Sequence, residues 1–282
     1  MIPGLYPILY EPLIRRALEE DLGRAGDLTS DAVLPPELKG EGRIVARAAG
    51  RLAGLPMALA AFRILDPAIE IETCAADGED VEAGAVLAMV RGAARSLLSA
   101  ERTALNLLGR LCGIATATRE MVRLVEPHGA RVVCTRKTTP GLRALEKYAV
   151  RCGGGHNHRF GLDDAVLIKD NHIALAGSLR LAVERARSAV GHLVKIEVEV
   201  DSLEMLREAL DLGVDVVLLD NMSVETLKQA VALARGRAIT EASGGITPEN
   251  AAAIAATGVD LLSMGWLTHS APSLDVALDV DG

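Results

Sequence analysis

Aromatic side chains are nearly absent from this chain: two Phe, three Tyr and one Trp, or 2 % of 282 residues. A nucleic-acid platform that works by base stacking needs exposed rings, so that class is disfavoured at once. The core must instead be Ala, Val and Leu, which suits helices packed closely on a sheet. Excess positive charge is also lacking. The formal net charge is −8, which argues against a general nucleic-acid or acidic-membrane binder. No stretch approaches the ~20 uninterrupted apolar residues of a membrane span. The first residues, MIPGLYPILYEPLIRRALEEDLG, carry no charged leader; prolines break the apolar run and acids follow, so no signal peptide is expected there. Cys74, Cys112, Cys134 and Cys152 have neither zinc-knuckle nor CxxC spacing and read as reduced core thiols of a cytosolic protein.

What is present is a globular composition, 50 % apolar and 24 % charged, with enough chain for one large domain or two ordinary ones. The two halves differ in texture. A helical pattern over about 10–22 and a polar turn, GDLTSD (26–31), precede short β-like runs at 42–48, 68–75 and 85–92, interrupted by a helix at 56–65. That is the look of a small α+β domain with a mostly antiparallel sheet. A long helical pattern follows, from about 95 to 125.

After it the rhythm becomes regular. Strands are predicted at 131–135, 165–169, 193–200, 214–220, 237–243 and 259–265, with helical segments between them. Ser178, Ser202, Ser223 and Thr247 stand where helices should begin, and Gly213, Gly236 and Gly258 where they should end. The strands are nearly continuous Val, Ile and Leu, as in a parallel sheet buried on both faces. Alternating strand and helix means parallel α/β. Six strands leave two arrangements open: a doubly wound sheet, or a barrel short of the usual eight.

Polar residues and glycines collect at the C-terminal end of every predicted strand. In order they are Thr135, Arg136 and Lys137; Lys169, Asp170 and Asn171; Glu197 and Glu199; Asp220 and Asn221; Glu241, Ser243, Gly244 and Gly245; and Gly265 with His269. Barrels and open α/β sheets both place their sites at this edge. One charged strand end is ordinarily solvated; six in succession with complementary chemistry are not explained that way. The glycine loops SGG–ITPEN and MG–WLTHS follow the last two strands, where backbone N–H groups and a helix N-terminus can receive phosphate. Glu199 and Asp220 suit a divalent cation placed against a polyphosphate, or sugar hydroxyls, or a rim held together by Lys169 and Lys195. Residues 131–172 carry eight Lys/Arg against four Asp/Glu, a local balance of +4 in an acidic chain. Arg136, Lys137, His158, Arg159 and Lys169 are the expected cationic side of a site, while Arg143, Lys147 and Arg151 are expected on a solvated helix face.

The stretch TRKTTPGLRALEKYAVRCGGGHNHRFGLDDAVLIKDNH (135–172) resembles the signature of the quinolinate phosphoribosyltransferase family. The likeness continues through EVEV, LLDNM, EASGGI and MGWLTHS, and back to SAERTALNLL and GDLTSD, so it covers nearly the whole chain in order. It implies an N-terminal α/β sandwich domain over 1–110, with the tail 273–282 as a candidate addition, and an incomplete α/β barrel of six to seven strands over 111–272. It implies transfer of the phosphoribosyl group of phosphoribosyl pyrophosphate to quinolinate with loss of CO₂, giving nicotinate mononucleotide for NAD biosynthesis. Mg²⁺, a cytoplasmic location, and a homodimer or assembly of dimers with shared sites are implied as well.

Residue by residue, Arg136, His158, Arg159 and Lys169 would bind quinolinate's carboxylates, with Arg102 reaching in from a partner subunit. Lys137 would face phosphoribosyl pyrophosphate. Glu199 and Asp220 would hold the ribose and the metal, directly or through water or substrate. Ser243, Gly244, Gly245 and Gly265 would cradle the 5′-phosphate. Thr135, Met264, Trp266 and His269 lie in the same strand-end loops and complete the substrate-binding set. The catalytic set is Lys137, Lys169, Glu199 and Asp220. Three other readings stand beside this one: a relative of the same fold acting on another acceptor base, a Schiff-base aldolase using Lys169 or Lys195, and a binding protein for a phosphorylated metabolite that catalyses nothing.

Overall fold

The computed structural model describes residues 3–281. Its strands, in chain order, are β1 (Lys39–Ala46), β2 (Gly50–Arg51), β3 (Glu70–Thr73), β4 (Asp80–Val81), β5 (Val86–Ala93), β6 (Arg131–Val133), β7 (Val166–Ile168), β8 (Ile196–Val200), β9 (Val216–Asp220), β10 (Ile239–Ser243), β11 (Leu261–Ser263) and β12 (Val276–Asp281). They fall into two compact units. One comprises Met1–Arg119, Thr138–Gly154 and Leu267–Gly282; the other comprises Glu120–Lys137 and Gly155–Trp266.

In the first unit, β12, β1, β5 and β3 form one antiparallel sheet in that order, and β2 pairs with β4. The C-terminal strand therefore belongs to the same sheet as the first. The helices Glu11–Leu22 and Leu55–Leu65 occupy the predicted positions. GDLTSD, expected as a turn, opens a short helix, Leu28–Val33. The reason is local: Asp27 accepts the Ser30 main-chain N–H at 3.0 Å and so caps the first turn.

Small residues let backbones meet in this unit. Gly109 and Gly113 lie four apart on the helix Ala94–Val125, on one face. A Cβ on Gly113 would stand 1.9 Å from the Pro272 carbonyl oxygen, and one on Gly109 2.8 Å from that of Leu274. The Leu274 N–H donates to the Gly109 carbonyl at 2.9 Å.

The helix Arg143–Cys152 corrects an expectation. Lys147 is not on a solvated face: it and Glu146 are both fully buried, and Arg143 and Arg151 are half-buried. Glu146 accepts from Arg110 at 3.0 Å and from the Thr139 main-chain N–H at 3.0 Å, so its charge is compensated inside the protein. Cys112, Cys134 and Cys152 are buried as expected; Cys74 is exposed. The glycine run before His156 serves packing as well. A Cβ on Gly153 would meet the Ala115 carbonyl oxygen at 2.5 Å.

In the second unit six parallel strands lie in the order β6-β11-β10-β9-β8-β7. Neighbours in the sheet are neighbours in the chain, except that first and last are also paired. That is the winding of a barrel; a doubly wound sheet would reverse direction partway. The ring is interrupted between β6 and β7, where the His156 main chain bonds across the free edge of β6: Cys134 N–H to its carbonyl at 3.1 Å and its own N–H to the Val132 carbonyl at 2.8 Å. Ser178, Ser202 and Ser223 each accept a main-chain N–H at a helix start, and Thr247 does so in a capping box with Asn250. Gly213, Gly236 and Gly258 have positive φ beyond helix ends. A further helix, Asp170–Ala176, follows β7 directly and has no apolar period by which the sequence could announce it.

Gly113→Ala is expected to destabilise the protein by about 3 kcal/mol or more, the upper end for overpacking, because the obstruction is backbone. Urea unfolding followed by circular dichroism measures this, and an unchanged midpoint contradicts the packing described.

Candidate active site

Along β8 the side chains alternate, so Glu197 and Glu199 share a face. That face is the concave one. Glu197 meets His158, and His158 also meets Glu241 of β10. The strands β8 and β10 are separated by β9, so groups on them can share a partner only across the barrel interior. Period 2 then sorts the site into two levels. Glu197 and Glu241 form the lower one; Glu199 and Ser243, two residues further along each strand, lie ~7 Å nearer the rim.

At the lower level His158 Nε2 lies 3.0 Å from Glu197 Oε2 and 3.5 Å from Glu241 Oε1. Its Nδ1 accepts the Arg159 main-chain N–H at 2.8 Å. A nitrogen that accepts carries no proton, so the ring is assigned as the Nε2–H tautomer, donating to Glu197 with Glu241 alongside. Glu197 and Glu241 are almost wholly buried, at 7 % and 2 % exposure. Burial, and then the neighbouring Glu197, push the Glu241 carboxyl up to about 7. The Arg159 guanidinium donates to the Ala165 carbonyl at 3.2 Å. Its burial and the nearby Arg136 charge lower its proton affinity, and Glu197 opposes that.

At the rim Lys169 and Glu199 form an ion pair. Half of the rim-bridge alternative therefore holds. The other half does not: Lys195 pairs with Asp215 at 3.2 Å. Asp220 ends β9 and its Oδ2 accepts from the Asn221 side-chain amide at 2.8 Å. Asn221 is the described non-glycine residue with positive φ, +54°, and its main-chain N–H donates to the Ser243 carbonyl at 2.9 Å. Beside it, Gly244 has φ +94°, and a Cβ there would lie 2.1 Å from Asn221 Oδ1. Only glycine fits that position.

The two glycine loops are joined by Trp266, whose indole N–H donates to the Ile246 carbonyl at 3.0 Å. Gly244 and Gly245 both have positive φ, directly before the helix Pro248–Ala255, so the turn and the helix N-terminus present N–H groups together. Gly265 leaves room for Lys137, whose Cδ would be 2.7 Å from a Cβ there. The Lys137 main-chain N–H donates to Thr135 Oγ1 at 3.0 Å. Met264 is buried beneath this loop.

Thus Thr135, Arg136, Lys137, His158, Arg159, Lys169, Glu199, Asp220, Ser243, Gly244, Gly245, Met264, Gly265 and Trp266 all lie in the barrel unit. Arg102 and His269 belong to the other unit: Arg102 is exposed, 3.7 Å from Glu101, and His269 Nδ1 is 2.6 Å from Ser270 Oγ. Sequence reasoning noted Glu197, Glu241 and Asn221 at strand ends but assigned them no place in the site. The available signal was a carboxylate inside an otherwise apolar strand, Ile196-Glu197-Val198, and an Asn, the residue type that best tolerates left-handed backbone, directly after Asp220.

A barrel rim with two linked glycine cradles, a cationic cluster and two rim carboxylates is that of an α/β-barrel enzyme acting on phosphorylated, anionic substrates. The sequence matches the family models for the quinolinate phosphoribosyl transferase N-terminal domain over residues 27–112 and C-terminal domain over 114–279. It is 48 % identical over 268 residues to a probable nicotinate-nucleotide pyrophosphorylase (carboxylating) of Bacillus subtilis, covering 95 % of this chain and 92 % of that one. Identity to the nicotinate-nucleotide pyrophosphorylase (carboxylating) of Mycobacterium leprae is 46 % over 275 residues, 95 % of each chain. The solved nicotinate-nucleotide pyrophosphorylase of Francisella tularensis superposes with a TM-score of 0.95 at 39 % identity, over 100 % of this chain and 99 % of that one. The chain belongs to the quinolinate phosphoribosyl transferase family.

The buried Glu241 carboxyl generates a stability prediction. Its folded-state affinity for a proton exceeds the unfolded one, so the folded state binds more protons between pH 4.5 and about 7. Stability conferred by the protonated acid is full below 4.5 and is lost as pH rises through 7. Glu241→Gln is expected to remove that loss, gaining on the order of 3 kcal/mol relative to wild type between pH 4.5 and 8. Urea unfolding at four pH values across the window measures it; parallel profiles for the two proteins contradict the assignment.

Proposed function

We propose that this chain is a quinolinate phosphoribosyltransferase (decarboxylating), a pentosyltransferase that joins quinolinate to phosphoribosyl pyrophosphate and releases nicotinate mononucleotide, pyrophosphate and CO₂ in NAD biosynthesis. The observation that carries the reading is the gathering of Arg136, Arg159 and Lys169 beside the two glycine cradles, in a chain of net charge −8. A dianion and a polyanion must meet there, and only a locally basic rim can accept both.

Arg136, Arg159 and Lys169 bind the quinolinate carboxylates, the arginines by their bidentate forks. Ser243, Gly244, Gly245 and Gly265 hold the 5′-phosphate, and Lys137 meets the pyrophosphate. Thr135, Met264 and Trp266 shape the loops that carry them. The pyridine nitrogen attacks the ribose C1, the N–C1 bond forms and the C1–O bond to pyrophosphate breaks. Glu199 and Asp220 face the oxocarbenium-like charge that develops on the ribose. The ring, now cationic at nitrogen, loses its 2-carboxylate as CO₂; the electron pair stays on the carbon beside N⁺ and takes a proton. Little acid–base work is asked of the protein. In this reading Lys169 exchanges its partner: it leaves Glu199 for the substrate carboxylate, and Glu199 is released for the ribose.

Mg²⁺ fits the rim. Glu199 and Asp220 are carboxylates partly open to solvent at neighbouring strand ends, and Mg²⁺ is commonly held by one or two carboxylates with phosphate and water oxygens. Those two residues would hold it, directly or through substrate or water. When bound it supplies charge neutralisation on the leaving pyrophosphate.

A homodimer, or an assembly of dimers, completes the site with Arg102 from the partner subunit. Two features support it: the Arg102 side chain is 64 % exposed, 3.7 Å from Glu101, and the first unit exposes Tyr6, Ile8, Leu28 and Val33. His269 completes the substrate-binding set in this reading. The location is cytoplasmic; among the described residues no helix is long and apolar enough to cross a membrane.

Purified protein given quinolinate, phosphoribosyl pyrophosphate and Mg²⁺ is expected to release CO₂ and form nicotinate mononucleotide, and to be inert with nicotinate. Turnover with neither base sinks the reading in favour of another acceptor. Lys169→Ala is expected to lower kcat/KM for quinolinate at least a hundredfold with little change in unfolding midpoint. Gly244→Ala is expected to raise the KM for phosphoribosyl pyrophosphate tenfold or more, since the Cβ displaces Asn221 and the cradle with it. Initial-rate kinetics on both substrates check the two variants.

A further inference from the structure

The barrel interior holds two carboxylates that the reaction above does not use. Glu197 and Glu241 sit one level below the rim, buried, and both are within reach of the same ring nitrogen. Each has an oxygen, Oε1, that is buried without a hydrogen-bond partner. Such an arrangement is costly unless something depends on it. An apolar pair would fill the space at lower cost.

What depends on it is visible in the next two links. His158 offers Nε2–H to the pair and receives the Arg159 N–H at Nδ1. Both ring nitrogens are therefore engaged within the protein, and the ring ties the barrel floor to the main chain that bears Arg159. The second link is charge. Arg159 and Arg136 repel each other, and Glu197 is the opposing charge. Lys169 acts on Glu241 in the same sense. A cationic subsite with no anion bound tends to spread apart; fixed negative charge beneath it holds the cations in place.

Resting on the functional reading above, we propose that Glu197 and Glu241 are positioning residues for the quinolinate subsite. Glu197 fixes the His158 ring from below with Glu241 beside it, and through the ring's bond to the Arg159 main chain and the Glu197 charge the pair keeps Arg136 and Arg159 assembled before the dianion arrives. His158 works here as a neutral tie rather than as a third cation. The glycine cradles lie on other loops than the one that bears His158 and Arg159, so the effect is expected on quinolinate rather than on phosphoribosyl pyrophosphate.

The test uses the full-length protein with E197L, E241L, E197Q and E241Q. Both leucine variants are expected to raise the KM for quinolinate at least tenfold while the KM for phosphoribosyl pyrophosphate stays within about twofold. The glutamine variants keep an acceptor for the ring N–H and are expected to recover most of that loss. In parallel, ¹⁵N-histidine NMR is read for His158, assigned by the signal lost in H158Q. The neutral Nε2–H tautomer is expected throughout, held by the Arg159 N–H at Nδ1, with the Nε2–H resonance unmoved in E197Q and shifted upfield in E197L as its acceptor is lost. Equal rises in both KM values, a fall in kcat alone, glutamine variants no better than leucine ones, or an unmoved Nε2–H resonance in E197L each overturn the proposal. Should the leucine variants fail to fold, E197Q decides: a rise of a few-fold in quinolinate KM alone supports it, and no rise overturns it. Wild-type protein that does not turn over quinolinate would instead defeat the functional reading, and the Nε2–H resonance would still decide whether the pair holds the ring.

Discussion

Six short strands that all run the same way are the constraint on which the candidate site depends. Parallel winding delivers every strand's carboxyl end to one rim, so residues as distant in the chain as Lys137 and Gly265 come together without any local sequence relation. The strands are only three to five residues long. On β8 and β10 one interior position, Glu197 or Glu241, lies below the rim and the next, Glu199 or Ser243, at it. Chemistry occupies the space that packed Val and Leu fill in a longer barrel.

That economy explains why charges run so deep. Glu197 and Glu241 lie where a larger barrel would have core side chains, and two carboxylates so close and so dry cannot both ionise freely. The proton affinity of Glu241 rises accordingly. His158 joins the pair to the loop that crosses the open seam of the barrel, between β6 and β7. The same segment bonds to the edge of β6 through His156. One loop thus seals a sheet edge and carries two of the site's basic residues. A long, glycine-bearing, basic stretch in an acidic protein has both a structural and an electrostatic reason.

In the first unit the governing fact is the scarcity of rings. With so little aromatic volume, the core closes by bringing backbones near one another, and glycines at 109, 113 and 153 mark where carbonyl oxygens approach. Tight approach leaves polar atoms stranded unless they are paired. Arg110, Glu146 and Thr139 form such a pairing inside the helix layer. Small-residue packing and buried ion pairing are two consequences of one composition.

Much of this could be read before any coordinates. Period and capping placed the barrel helices, because Ser178, Ser202, Ser223 and Thr247 satisfy backbone donors that every helix start leaves open. Continuous Val, Ile and Leu runs placed the strands, and their polar ends pointed to the rim. The long motifs identified the family. The short helices at Leu28–Val33 and Asp170–Ala176 were not legible, since they rest on one cap or one turn and carry no apolar period. Nor was the burial of Lys147, on a helix whose sequence looks solvated. Most of all, sequence showed Glu197 and Glu241 as two polar residues 44 positions apart. Their union with His158 is a property of strand order and concavity: the groups meet only because β8 and β10 curve toward one interior, and no local pattern along the chain encodes that distance.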